Sequence, residues 1–324
     1  MAGMVMWRSL LVVAVFLGIG QVRAQTAASP AELVDALNRV FGPQDHARAN
    51  HANGLVVTGS FRPGRDAALV TKAVHLQPAE APVKATVRFS NFGGNPHVAD
   101  ADPGAAPYGM AIKFALPDGE ETDIVTHSFN GFPSRTTTEF RDFLLAMAKS
   151  HSALQRYAAT HERARLFLDA VKRAPESFAS QPYYGVNTFK FIDAAGVARF
   201  GRYRFVPVEA SRYLDGVSQP KPPANYLHAE MRERLSHAPV VTKLLLQIAE
   251  EGDALDDPSV AWPEQRRLIE LGTLTIHAVA ADSPAADQTL SFFPDDLPDG
   301  IEVQDPMLKD RTKSYAESLK RRQR

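Results

Sequence analysis

The sequence predicts an α+β domain, an antiparallel sheet or barrel with helices packed beside it and a C-terminal helix closing the chain. Three observations predict it. The strand-like runs begin early, at Leu55, Val83 and Gly109. Turn signals of hairpin type, Pro117-Asp118-Gly119 and Ala194-Ala195-Gly196, sit between consecutive runs. Long helical runs do not alternate with the strands, as the crossovers of a parallel sheet would require. A chain of 324 residues, 44% of them hydrophobic, can bury one large core or two small ones, and residues 25–324 are read as a single domain.

The N-terminus reads as a targeting segment. Arg8 precedes an apolar core from Leu10 to Gly20, and Val22-Arg23-Ala24 fits the small-x-small cleavage rule. A signal peptide over residues 1–24, with export to the periplasm, is the expectation; an uncleaved anchor is the competing one. Losing Arg8 and Arg23 leaves 34 basic residues against 37 acidic ones. That near-balance carries no nucleic-acid footprint, and no later stretch is long and apolar enough to span a membrane as a helix. The chain has no cysteine, which excludes disulfides, thiolate catalysis, zinc fingers and iron–sulfur clusters.

Ser29-Pro30-Ala31-Glu32 opens a helix, with Ser as N-cap, Pro in the first turn and Glu placed for a capping box; Gly42-Pro43 stops it. His51 then stands between Arg48 and Asn53-Gly54, just ahead of the strand-like run Leu55–Phe61. Such a His is either a loop residue or a general base at a sheet edge. From Val83 to Phe92 the chain alternates. Ala85, Val87 and Phe89 make one face, and Arg88 and Ser90 share the other, by default a solvent face.

Gly109–Ala115 and Asp123–Thr126 read as strands, followed by the Phe-rich loop His127–Pro133. Thr136–Glu139 reads as a second capping box, opening a helix with Phe140, Phe143, Leu144 and Met147 on one stripe. Helical patterns continue from Ser152 to about Ala174, and Asn187–Asp193 and Ala198–Val206 form a hairpin. Asn225–His237 and Pro239–Glu251 read as two short helices, and Gly272–Ala280 as a strand. A Pro-rich loop from Leu290 to Gly300 leads to a last helix starting at Pro306. There Arg311 and Tyr315 lie four apart on one face, and a guanidinium beside a phenol favours the phenolate, a ligand for ferric iron. A solvated helix face is the other reading. Neither a Gly-rich dinucleotide loop nor a P-loop is present.

Taken in order, these stretches resemble the haem catalase superfamily, in its short branch of catalase-related peroxidases. The resemblance runs from about Phe41 to Arg322. It rests on Arg48-Ala49-Asn50-His51-Ala52, Val87-Arg88-Phe89-Ser90, Gly109–Phe114 with Asp123-Ile124-Val125, Asn187–Phe191, Phe293-Pro294 to Glu302, and Arg311-x-x-x-Tyr315. It implies a catalase-type barrel holding haem b. Tyr315 is then the axial iron ligand, kept ionised by Arg311, and His51 the distal base, held by Ser90. Arg48, Arg88 and Arg322 are expected to pair with the haem propionates, and Phe140 to stack on the macrocycle.

The sequence departs from the family at one place. The position that carries asparagine in typical catalases is His127 here, and Asn130 lies three residues on. That asparagine helps a second peroxide act as reductant. A His in its place implies an enzyme that reduces hydrogen peroxide and oxidises small organic donors, with weak catalase activity, and makes His127 a candidate catalytic residue. A true catalase, a periplasmic haem-binding protein without turnover, and a haem-free member with a lipid-like ligand are the alternatives. A monomer or small homo-oligomer is expected.

Overall fold

The computed structural model describes residues 27–215 and 221–323; the expected signal peptide, residues 1–24, lies outside them. The chain opens with α1 (Pro30–Phe41), where the capping box forms as expected: Ser29 Oγ accepts from the Glu32 amide and Glu32 Oε2 from the Ser29 amide. Four strands follow, β1 (Gly54–Pro63), β2 (Val83–Ser90), β3 (Gly109–Ala115) and β4 (Glu121–His127). Then come α2 (Thr137–Lys149), α3 (His151–Thr160) and α4 (Glu162–Asp169). Strands β5 (Tyr183–Tyr184), β6 (Phe189–Ile192) and β7 (Ala198–Pro207) lead to α5 (Tyr226–His237), β8 (Val240–Ile248) and β9 (Leu268–Val279). The chain ends in α6 (Ser283–Thr289), β10 (Ile301–Val303) and α7 (Pro306–Arg322).

Every strand pairing is antiparallel. Pairing runs β1-β2-β3-β4-β5-β7, and β7 pairs β8, β8 pairs β9, and β9 returns to β1. Eight strands therefore close a barrel, which leaves no edge on its circumference. Strand β6 and then β10 extend from β7 outside that ring. The period-two pattern of the sequence sends Leu55, Val57 and Phe61 of β1, Val87 and Phe89 of β2, and Met110, Ile112 and Phe114 of β3 into the barrel core. A second apolar cluster lies outside the barrel, where α1 packs on α2 and α7.

Two readings are corrected. Pro239–Glu251 is not a helix: Val240–Ile248 is β8. Val240, Thr242, Leu244 and Leu246 alternate inward, and the strand pairs on both sides. Val241 and Leu245 carry apolar side chains on the other face, which blurs the alternation and leaves Leu244–Leu246 looking like a helical run. The second capping box is half of one. Thr136 Oγ1 caps the Glu139 amide, but Glu139 Oε2 accepts from the Arg135 amide one residue earlier.

Candidate functional site

Strand parity decides which side chains leave the barrel. Opposite the inward set, Arg88 and Ser90 of β2, Gly109 and Ala111 of β3, and Val125 and His127 of β4 point outward. Arg88, Ser90 and Gly109 are buried, and Ala111, Val125 and His127 are half-buried. The helical cluster covers this stretch of wall, so Arg88 is 4% and Ser90 3% exposed. The solvent-face default for β2 fails because an alternating strand does not say what lies over its polar side. Between wall and helices is a cleft with about 1440 Å³ of atom-free space, part of it open to solvent. Every sequence-predicted site residue lines it: Arg48, His51, Arg88, Ser90, His127, Phe140, Arg311, Tyr315 and Arg322.

His51 sits at a bend of the chain. Its φ is 54°, its amide donates to the Phe92 carbonyl at 2.9 Å, and its carbonyl accepts from Arg88 Nη2 at 2.8 Å. These bonds hold a left-handed backbone conformation that is uncommon outside Gly, with His, Asn and Asp the residues most often found there. The imidazole Nδ1 lies 3.0 Å from Ser90 Oγ, and Phe92 packs edge-on to the ring at 5.6 Å. Ser90, Gly109 and His127 occupy one cross-strand row, and the His51 ring rests over Gly109. A Cβ there would stand 2.6 Å from Ser90 Oγ and 2.9 Å from His51 Nδ1. Gly109→Ala is therefore expected to break the Ser90–His51 contact and slow a His51-dependent step by about tenfold or more. The barrel should keep its melting temperature within a few degrees; a variant with unchanged kinetics would show that this contact is idle.

His127 is unlike His51. Both its ring nitrogens are buried without a hydrogen-bond partner among the described residues, with Phe132 6.4 Å away. Burial, then the Arg88 charge, pushes His51 down to about 3; burial, then the Arg311 charge, pushes His127 down to about 3. Both are neutral bases at pH 7. An unfolded histidine titrates near 6.5, so between about 6.5 and 3 the unfolded chain holds more protons than the folded one. Stability then falls as pH falls through that window, by up to about 1.4 kcal/mol per pH unit for each buried histidine. Urea denaturation of the haem-free protein between pH 7 and 5 checks this; a flat midpoint would contradict it.

The facing wall is α7. Asp305 caps it, accepting from the Met307 amide at 2.9 Å and from Asn187 Nδ2 at 2.6 Å, which fixes the rotation of the helix. Arg311, Ser314, Tyr315, Ser318, Leu319 and Arg322 then form the stripe that lines the cleft. The Arg311 guanidinium lies 5.7 Å from the Tyr315 ring centroid. Phe140 of α2 closes one side, its ring 4.9 Å from that of Phe132.

Arginines gather around a residue absent from the sequence reading. Asp287, on α6, takes Arg88 Nε on Oδ1 at 2.5 Å and Arg88 Nη2 on Oδ2 at 2.9 Å, and Arg48 Nη2 on Oδ1 at 3.2 Å. Its partners lie 199 and 239 residues away in the chain, so local pattern held no signal for it. Arg48 and Arg322 both donate to the Leu290 carbonyl, at 2.6 and 2.5 Å.

Several buried polar atoms along the cleft have no hydrogen-bond partner among the described residues: Nε of Arg48, Arg311 and Arg322, Oγ1 of Thr137 and Oγ of Ser314. Burying unpaired donors is costly unless something fills the space and bonds them. An apolar slot with cationic donors at one end, a phenol on one wall and a neutral imidazole on the other suits a flat, largely apolar ligand that carries carboxylates and a metal. Haem is such a group, and these residues fit it.

Comparison with known proteins agrees. A family model described as catalase matches residues 32–323. The chain is 36% identical over 301 residues to a catalase-related peroxidase of Mycolicibacterium paratuberculosis, covering 91% of this chain and 95% of that protein. It is 29% identical over 313 residues to a catalase-related peroxidase of Synechococcus elongatus, covering 93% and 91%. Among solved structures, a fungal catalase superposes with a TM-score of 0.77 at 20% identity, over 90% of this chain and 62% of that one. Catalase A from Saccharomyces cerevisiae superposes at 0.75 and 19% identity, over 85% and 61%. At these identities the structures speak for the fold alone.

Proposed function

This chain belongs to the catalase family, and on that premise we propose that it is an exported haem peroxidase, reducing hydrogen peroxide to water while oxidising a small organic donor. The observation that carries the reading is the pairing of walls across one cleft: His51 on Ser90 from the barrel side, and Arg311 with Tyr315 on α7. Haem b, held at iron by Tyr315 and at its propionates by Arg48, Arg88 and Arg322, would supply the electrons that cleave the O–O bond.

The protein side chains manage the protons. His51 is neutral, and its Nδ1 faces Ser90, which leaves Nε2 for peroxide. Nε2 takes a proton from one peroxide oxygen and returns it to the other as that oxygen departs in water. Ser90 holds the ring plane and the tautomer through both transfers. Phe92, Phe132 and Phe140 line the cleft and would exclude bulk water, with Phe140 against the macrocycle. In total one peroxide and two hydrogen atoms from the donor give two waters.

His127 favours this reaction over peroxide dismutation. Its buried ring nitrogens have no hydrogen-bond partner among the described residues, where a dismutase of this family offers an amide to orient a second peroxide. The signal peptide and the periplasmic location rest on Arg8, Leu10–Gly20 and Val22-Arg23-Ala24 alone. A monomer or small homo-oligomer is the assembly proposed.

The test is the haem-loaded protein mixed with hydrogen peroxide, with oxygen evolution recorded first alone and then with a phenolic donor. Little oxygen, and donor oxidation in proportion to peroxide, supports the proposal. Rapid oxygen release that the donor does not suppress would make the protein a true catalase. A protein that takes up haem and ignores peroxide would be a haem carrier.

A further inference from the structure

Asp287 has no part in the chemistry above, yet it bridges two of the arginines at the cationic end of the cleft. Its carboxylate bridges Arg88 and Arg48, and Arg322 reaches the same corner through the Leu290 carbonyl. Three guanidiniums and one carboxylate leave a formal charge of plus two in a largely buried place: Arg88 is 4% and Arg322 6% exposed. Burial and the crowding of cations act on the arginines together. Burial, then Arg88, pushes Arg48 down to about 9, and burial lowers Arg322 as well. Nε of Arg48 and of Arg322 have no hydrogen-bond partner among the described residues.

We infer that Asp287 is the internal counter-anion of this cluster, standing in the haem-free protein for part of the negative charge that a dicarboxylate ligand brings. The inference rests on the haem reading above. Two consequences follow. The cleft selects a ligand of charge minus two, because that number neutralises what Asp287 leaves over. Asp287 also contributes more to stability before the ligand binds than after, when two further carboxylates share the arginines.

Asp287 is in addition a positioning residue for His51. It holds Arg88 by two hydrogen bonds, and Arg88 Nη2 donates to the carbonyl of His51. Gly54 leaves Arg88 its place: a Cβ there would lie 2.1 Å from Nη2. The carboxylate, the guanidinium and the His51 carbonyl form one chain from the cationic end of the cleft to the bend that carries the imidazole.

The experiment compares wild type, Asp287→Asn and Asp287→Glu, each produced with and without haem supply. Melting temperatures are read for both forms, and the haem-free proteins are titrated with haemin and with its uncharged dimethyl ester, followed by the Soret band. Asp287→Asn is expected to lower the melting temperature of the haem-free form by several degrees more than that of the haem-bound form. By linkage it then binds haemin about tenfold more tightly than wild type does. Wild type is expected to prefer haemin over the diester by about tenfold or more, and Asp287→Glu to stay near wild type. Recovery of folded Asp287→Asn only with haem is the same inequality in extreme form.

Equal losses in both forms, or no folding of Asp287→Asn in either, would overturn the stand-in role and leave a plain structural ion pair. Equal binding of haemin and diester by wild type would overturn charge selection. A wild-type protein that binds neither would instead sink the haem reading itself.

Discussion

The reaction of the haem-loaded protein with hydrogen peroxide is expected to slow about 10²–10⁴-fold when His51 is replaced, with haem content unchanged. That range is what a positioned general acid–base contributes. In this cleft His51 is the imidazole fixed by a hydrogen bond, to Ser90 Oγ at 3.0 Å. His127 cannot take over without moving, since it lies in the cross-strand row beyond Gly109 and no hydrogen bond from the described residues orients its ring.

The choice of variant matters because His51 has a φ of 54°. Alanine in that conformation adds strain of about 1–2 kcal/mol, whereas asparagine adopts it readily. His51→Asn therefore removes the base and keeps the bend, and His51→Ala removes both. Stopped-flow mixing with peroxide, read at the Soret band, measures the step directly. Similar loss in the two variants, with melting temperature lowered only in alanine, identifies proton transfer as what was removed. A rate within tenfold of wild type in His51→Asn would mean that another group moves the proton.

How much of this was legible in the sequence depends on how local each signal is. The limits of β3 and the start of α7 follow from patterns a few residues long: alternation in Gly109–Ala115, and Pro306 at the first turn. The cap of α1 is equally local. The stripe from Arg311 to Arg322 follows from helical period once the helix is accepted. Strand β8 was misread because apolar side chains on both of its faces hide the period of two.

The covering of Arg88 and Ser90 was not legible at all. Which face of a strand is polar can be read from the chain, but the helices that bury it come from elsewhere. Asp287 is the extreme case. The Asp282 cap and Pro284 that open α6 are a readable helix start, and nothing near Asp287 says that its carboxylate ends between two distant arginines.

Tyr315→Phe is expected to leave the fold intact and remove the oxygen ligand of the iron. The cap at Asp305 and the burial of Met307 and Leu308 hold α7 independently of the phenol oxygen. The phenylalanine ring would still lie near Arg311, so the unfolding free energy of the haem-free protein should change by no more than about 0.5–1 kcal/mol. Haem affinity should fall at least as much as the roughly 10–100-fold that follows loss of a mere outer-shell partner at a metal site. Whatever haem remains should lack the ferric tyrosinate spectrum and react slowly with peroxide, because the anionic donor that supports the oxidised iron is gone. Arg311→Ala is the companion variant: it keeps the oxygen and removes the cation, so its spectrum should change less than that of Tyr315→Phe. If Tyr315→Phe retains haem with an unchanged spectrum, Tyr315 is not the ligand, and the walls of the cleft do not hold iron in the way their arrangement implies.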